Sequence, residues 1–138
     1  MSFDVYLQVF DKGEAAGIPR DSVRHAFGAA FVTEPAPDRW KVLYDAQNSC
    51  DVYLSADANP NLLKGLSINR PCGDSRLWDS LASILALGNV VLYFPGCRAP
   101  VVSNLNATQH LPHDMIEALG NPVVVGTGAE LLREIQAA

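Results

Sequence analysis

The span of residues 80–113 constrains the fold more than any other part of the chain, because Arg98 is its only Asp, Glu, Lys or Arg residue. Such a segment is expected to lie in a protein interior or against a partner, since charged side chains are seldom buried. The 138 residues of the chain can bury roughly 70% of the unfolded surface without a disulfide or a metal. We therefore expect a single compact domain over residues 1–138.

The first half of the chain has the two-residue periodicity of β-strands. Apolar side chains alternate with more polar ones in four segments, at residues 5–9, 40–44, 52–54 and 66–68. Alternation of this kind is typical of strands with one buried face. Residues 34–38, which contain two prolines, are predicted to be a turn-rich connector. Strands that follow one another through short turns predict an antiparallel meander.

The second half changes to helical periodicity and to continuous apolar runs. Apolar side chains spaced along one helical face at residues 77–85 predict a helix that Asp74 or Ser75 caps and Gly88 ends. Residues 89–94 are almost entirely apolar, as in a strand buried on both faces. Residues 129–136 predict a closing helix. The sequence therefore predicts an α+β fold, with a meander first and then packed helices in an α/β-like second half.

Charge and motif content exclude several classes of function. The net charge of −5 argues against nucleic-acid binding, which requires an excess of Lys and Arg. No apolar run approaches the roughly 18 residues of a membrane helix. The three widely spaced cysteines form no zinc or disulfide pattern, so we expect a cytoplasmic protein. The turn at residues 126–128 lacks the third glycine of a dinucleotide-binding fingerprint, and no cofactor is predicted.

An acidic segment is the first candidate site. Asp45 and Asp51 flank a predicted hairpin turn, and Asp57 follows shortly after. We expect Asp45 and Asp51 to approach each other across the base of this hairpin. Like charges facing each other across strands are destabilising, so a cationic partner or a bound metal would be a functional reason for this arrangement. The alternative is that these residues are solvated, because Asp and Asn are common in turns.

Arg70, Cys72 and Asp74 form a second candidate site, at the turn that leads into the predicted helix. The N-terminus of a helix favours anions, and the same environment can lower the pKa of a cysteine so that it acts as a nucleophile. In the alternative interpretation, Asp74 caps the helix and Cys72 packs as a small apolar residue. Both interpretations are open from the sequence.

His110 and His113 are the third candidates, with Asp114 beside them. Imidazole and carboxylate groups are zinc ligands, but a catalytic zinc needs three protein ligands, and the intervening Pro112 prevents a continuous helix. We therefore predict no metal site. Either histidine could instead serve as the base for Cys72 in a small hydrolase.

In size, acidity and mixed architecture, the whole chain is similar to the small acidic immunity proteins of bacterial toxin systems. That resemblance implies a cytosolic, non-enzymatic protein that covers the active site of a toxin with an acidic surface. Such a surface would steer a basic partner towards it. We therefore expect another protein as partner, such as a basic toxin domain, bound through Asp45, Asp51 and Asp57. The alternatives are the hydrolase and a self-associating regulatory subunit whose homodimer face is the charge-poor span of residues 80–113.

Overall fold

The structure is a computed structural model that describes residues 3–56 and 58–138. Within these residues the chain forms ten strands and five helices, in the order β1 (Val5–Asp11), β2 (Glu14–Ala15), β3 (Ile18–Pro19), α1 (Arg20–Ala26), β4 (Phe31–Ala36), β5 (Arg39–Asp45), β6 (Asn48–Ala56), β7 (Leu62–Asn69), α2 (Ser75–Leu85), β8 (Val90–Tyr93), β9 (Val101–Val102), α3 (Leu105–Thr108), α4 (His113–Leu119), β10 (Val123–Val124) and α5 (Gly128–Gln136). None of the described helices is long and apolar enough to cross a membrane. The described residues make a single α+β domain, as predicted.

All ten strands belong to one sheet, in the order β10-β9-β8-β1-β7-β6-β5-β4, with β2 paired to β1 and β3 paired to β7. Strands β5, β6 and β7, which correspond to the predicted strands at residues 40–44, 52–54 and 66–68, form an antiparallel meander, and β4 extends it at the edge. Strand β1 lies between β7 and β8 and is antiparallel to both. The two halves of the chain therefore share one sheet, and β9 with β10 is its parallel pair.

One face of the sheet carries the main core. Alternation along the strands turns Val5, Leu7, Trp40, Val42 and Val52 towards this face, and all five are buried. Helices α1, α2 and α5 cover it with apolar side chains that belong to the same cluster. The predicted helix of residues 77–85 corresponds to α2, whose Asp74 cap accepts a hydrogen bond from the Arg76 backbone N–H at 2.9 Å.

The opposite face of the sheet is covered only in part. A second, smaller core joins Val91, Val102, Ala107 and Leu111, so α3 and the start of α4 lie over the β8–β9 end. Apolar residues of the span 80–113 lie in these two cores. Burial within the domain therefore accounts for the lack of charge in this span.

Three local features differ from the sequence prediction. Residues 34–36 of the predicted connector belong to β4, which is the edge strand of the sheet. Prolines are tolerated at an edge because the missing N–H there has no partner strand to bind. The short helix α3 was not predicted. Helix α2 ends at Leu85 rather than at Gly88.

Candidate functional site

The face of the sheet that the helices leave uncovered presents one continuous row of outward side chains. Cross-strand register aligns five of them, from Arg39 through Tyr53, Ser67 and Tyr6 to Tyr93. We call the outward side of β5, β6, β7 and β1 the open face. Tyr53 is 40% exposed there, so the row presents aromatic surface to solvent.

A hollow lies beside this row, and we call it the tyrosine groove. Its volume is about 310 Å³, at the lower end of the roughly 300–1,000 Å³ typical of ligand pockets. The outward side chains that line it are Tyr6, Gln8, Phe10, Tyr53, Ser55, Lys64, Ser67 and Tyr93. Gly65 lies between Ser55 and Gln8 in the next row of the sheet. A side chain there would collide with the Leu7 carbonyl oxygen, so this position requires glycine.

Two tyrosines form one wall of the groove. The rings of Tyr6 and Tyr93 stack with 5.6 Å between their centroids and 23° between their planes. Burial raises the pKa of Tyr93, and the neighbouring Tyr6 raises it further. The Tyr93 hydroxyl is therefore neutral at physiological pH, where it can donate and accept hydrogen bonds.

Among the lining residues that the structure describes, Lys64 has the only charged side chain. The register of β6 and β7 shifts between Ser55 and Ala56, which pair with Gly65 and Leu63, so Lys64 is the extra residue of a β-bulge. Bulges redirect side chains and often lie next to binding sites. Lys64 lies in the lining of the groove at this bulge.

Asp51 also lies on the open face, but it is not opposite Asp45. Lys41 is the cross-strand neighbour of Asp51, and Asn48 is that of Asp45. The expectation that the two aspartates approach each other across the hairpin base is therefore wrong. The two-residue turn of this hairpin sets a register that pairs unlike side chains. Asp57 falls outside the described residues.

The Asp45 carboxylate is already engaged within the protein. It accepts hydrogen bonds from the Gln47 backbone N–H at 2.9 Å and from the Asn48 side chain at 3.0 Å. Arg76 forms an ion pair with it at 2.5 Å. These hydrogen bonds lower the pKa of Asp45, and the bond from Gln47 has the largest effect. By contrast, Asp51 has no ion pair within 4 Å among the residues that the structure describes, so its carboxylate is the freer of the two.

At the second predicted site, Asp74 caps helix α2. Asp74 occupies the N-terminus of α2 with its own carboxylate, where an external anion would otherwise bind. Hydrogen bonds from the Arg76 side chain and backbone lower the pKa of Asp74 to about 2. Cys72 is partly buried against the main core, and the Arg70 backbone N–H donates to Asp4 at 3.3 Å. Asp74 therefore serves as the cap of α2 and Cys72 packs in part against the core, and an anion or thiol site at Arg70, Cys72 and Asp74 stays a prediction.

Cys72 and His110 lie at opposite ends of β1. The chain beside Cys72 contacts Asp4 through Arg70, whereas His110 Nδ1 accepts a hydrogen bond from the Lys12 backbone N–H at 3.1 Å. Extended chain from residue 4 to residue 12 spans roughly 26 Å at about 3.3 Å per residue. His113 begins α4, over the other face of the sheet from Cys72. Neither histidine can act as the base for this cysteine.

No three metal-ligating side chains among residues 3–56 and 58–138 lie close enough together to hold a metal ion. His110 instead contacts the β1–β2 turn, where its Nδ1 is also 3.2 Å from an Asp11 carboxylate oxygen. This histidine therefore anchors the turn between β1 and β2.

The groove residues were not identified from the sequence. Tyr6, Tyr53 and Ser67 are the outward members of alternating strands, and alternation alone does not distinguish a bare face from a covered one. A cue was present in the aromatic and hydroxyl residues at these outward positions, where charged side chains are more usual. Comparisons of the chain with protein-family models, with curated proteins and with solved structures found no significant match.

Proposed function

We propose that this protein is a non-enzymatic protein-binding module that captures its partner on the open face. The observation that carries the proposal is the row of tyrosines on a sheet face that the helices leave bare. Because the chain is similar to small acidic immunity proteins, we propose that the partner is a toxin domain. The protein would neutralise the toxin by covering its active site.

The composition of the open face supports this proposal. Tyr53 is 40% exposed, and Phe31, opposite Leu43 at the edge of the same face, is 68% exposed. Aromatic side chains are enriched in interface cores and in binding hot spots. Tyrosine in particular contributes a large rigid contact area at a low entropic cost. A partner that covered this face would remove both rings from water.

Charge also favours a specific role for Asp51 in this binding. It lies two residues before Tyr53 on the same strand, so both side chains point outward from the open face. Its carboxylate has no ion pair within 4 Å in the described part of the chain, and a basic partner could provide one. Asp45 is bound to Arg76, and its contribution to steering a partner is expected to be smaller.

The test begins with affinity capture from the native host and continues with titration of the purified partner. We expect Tyr53→Ala to weaken binding at least tenfold, as for a hot-spot residue. Asp51→Lys should weaken binding and reduce its dependence on salt. Asp21→Lys is the matched control, because it makes the same charge change on α1, which covers the other face. Equal affinity of the wild type and the Tyr53→Ala variant would refute the proposal.

A further inference from the structure

We propose that the tyrosine groove binds a free small molecule that carries a carboxylate on a planar ring. The groove lies within the open face, but this inference does not depend on the protein-binding role. The inference comes from the kinds of polar group that line the groove, from their lack of internal partners and from the shape of its wall.

The polar groups in the groove include one cation and several groups that can donate hydrogen bonds. Lys64 supplies an ammonium group, Ser55 and Ser67 supply hydroxyls, and Gln8 supplies an amide. None of the lining residues that the structure describes is an aspartate or a glutamate. Among the described lining residues, an anion in the groove would therefore meet the cation of Lys64 and no carboxylate, although the net charge of the chain is −5.

These donors are not used within the protein. In the described part of the chain, the side chains of Ser55, Lys64 and Ser67 form no hydrogen bond or ion pair with another residue. Cationic donors without internal partners are available to a carboxylate, and hydrogen bonds between charged groups are the stronger ones.

The wall and the volume of the groove suit a planar ring. Tyr6 and Tyr93 already stack on each other, and Tyr53 lies across Ser67 from them in the same row. Aromatic rings prefer offset or edge-to-face contact with other rings at such spacings. The volume of about 310 Å³ accommodates one small ligand rather than an extended peptide.

The test is a titration of the full-length ¹⁵N-labelled protein with benzoate, followed by amide chemical shifts. Benzamide, benzylamine and acetate serve as neutral, cationic and ring-free comparisons. We expect saturable shifts in the millimolar range at Gln8, Gly65 and Ser67 with benzoate, and much weaker shifts with the other three probes. Shifts that do not saturate, or that lie only outside the groove, would overturn the proposal. So would equal binding of benzamide, benzylamine or acetate.

Matched variants locate the carboxylate. Lys64→Met should weaken benzoate binding about tenfold, as expected for loss of a charge-assisted hydrogen bond, and Lys64→Arg should restore most of the affinity. Lys41→Met removes a cation from the same face outside the groove lining and should leave benzoate affinity unchanged. The amide spectrum of each variant reports directly whether it is folded. Undiminished affinity in a folded Lys64→Met variant would contradict the assignment of Lys64.

Discussion

The ring of Tyr6 stacks on the ring of Tyr93 across β1 and β8, with 5.6 Å between the ring centroids. Aromatic pairs in this arrangement contribute about 0.5–1.5 kcal/mol beyond the burial of their area. Tyr93 packs beside the smaller core, at the covered end of the sheet. The pair therefore lies at the border between this covered end and the open face. The stacked rings therefore form a rigid wall at the place where the sheet becomes accessible to a partner.

The floor of the tyrosine groove depends on a glycine. Gly65→Ala is expected to lower the free energy of unfolding by about 1–3 kcal/mol, the usual cost of forcing an extra methyl group into a packed site. The cause is the collision of the new Cβ with the Leu7 carbonyl oxygen. Urea unfolding measures the change, and Gly73→Ala is the matched control because a Cβ at Gly73 meets nothing within 4 Å. Equal stabilities of the two variants would contradict this account of Gly65.

A buried hydroxyl pair connects the sheet to α2. The Tyr44 hydroxyl lies 2.7 Å from Ser80 Oγ, which also donates to the Arg76 carbonyl oxygen at 3.0 Å. Tyr44→Phe leaves Ser80 with that carbonyl and should cost about 1 kcal/mol. Ser80→Ala leaves the Tyr44 hydroxyl without a partner in the core and should cost about 1–3 kcal/mol. Thermal and urea unfolding compare the stabilities of the two variants. A larger loss of stability for Tyr44→Phe than for Ser80→Ala would contradict this account of the hydroxyl pair.

Acid should destabilise the protein through the cap of α2. The pKa of Asp74 is lowered from 3.8 to about 2 by its hydrogen bonds from Arg76. A carboxyl group whose pKa is lowered in the folded state adds stability above its unfolded pKa and loses this contribution as the pH falls. The loss should fall between about pH 4 and about pH 2.

Asp74→Asn tests this pH dependence, because asparagine retains the capping preference but cannot titrate. We expect its stability to fall less steeply than that of the wild type between pH 5 and pH 2. Asp114→Asn, in the exposed first turn of α4, is the control and should retain the wild-type slope. Superimposable pH profiles for Asp74→Asn and the wild type would rule out this role.

Cys50 should be chemically inert in the folded protein. Burial raises the pKa of its thiol to about 12, so almost no thiolate exists near neutral pH, and the thiolate is the reactive form. Iodoacetamide at pH 8, followed by mass spectrometry of peptides, should leave Cys50 unmodified in the native state. The same reagent in guanidinium chloride should modify it, which controls for detection of the peptide. Rapid labelling of native Cys50 would show that the thiol is accessible.

Much of the fold could be predicted from the sequence because local rules and tertiary packing agree there. The alternation at Trp40, Val42 and Tyr44 predicted β5, and the cap at Asp74 with its apolar face predicted α2. The same local agreement predicted the closing helix, which is α5. In these elements the periodicity of burial equals the periodicity of the secondary structure.

The candidate site could not be predicted, because its position depends on long-range register. The approach of Asp45 to Asp51 was inferred from their positions on either side of a turn, but the register places Lys41 opposite Asp51. The groove depends on the insertion of β1 between β7 and β8, which brings Tyr6 beside Tyr93 from distant parts of the chain. The packing positions of α3 and α4 decide how much of this sheet face stays bare, and no local sequence pattern predicts those positions.

The central claim is that the open face is the surface that engages a protein partner, and hydrogen exchange of the complex tests it most directly. Amide exchange would be compared between the free protein and its complex with the captured partner, by mass spectrometry of peptides. We predict slowed exchange in peptides from β5, β6, β7 and β1, with little change in α2 and α5. Protection confined to α2 and α5, with unchanged exchange across β5 and β6, would contradict the account.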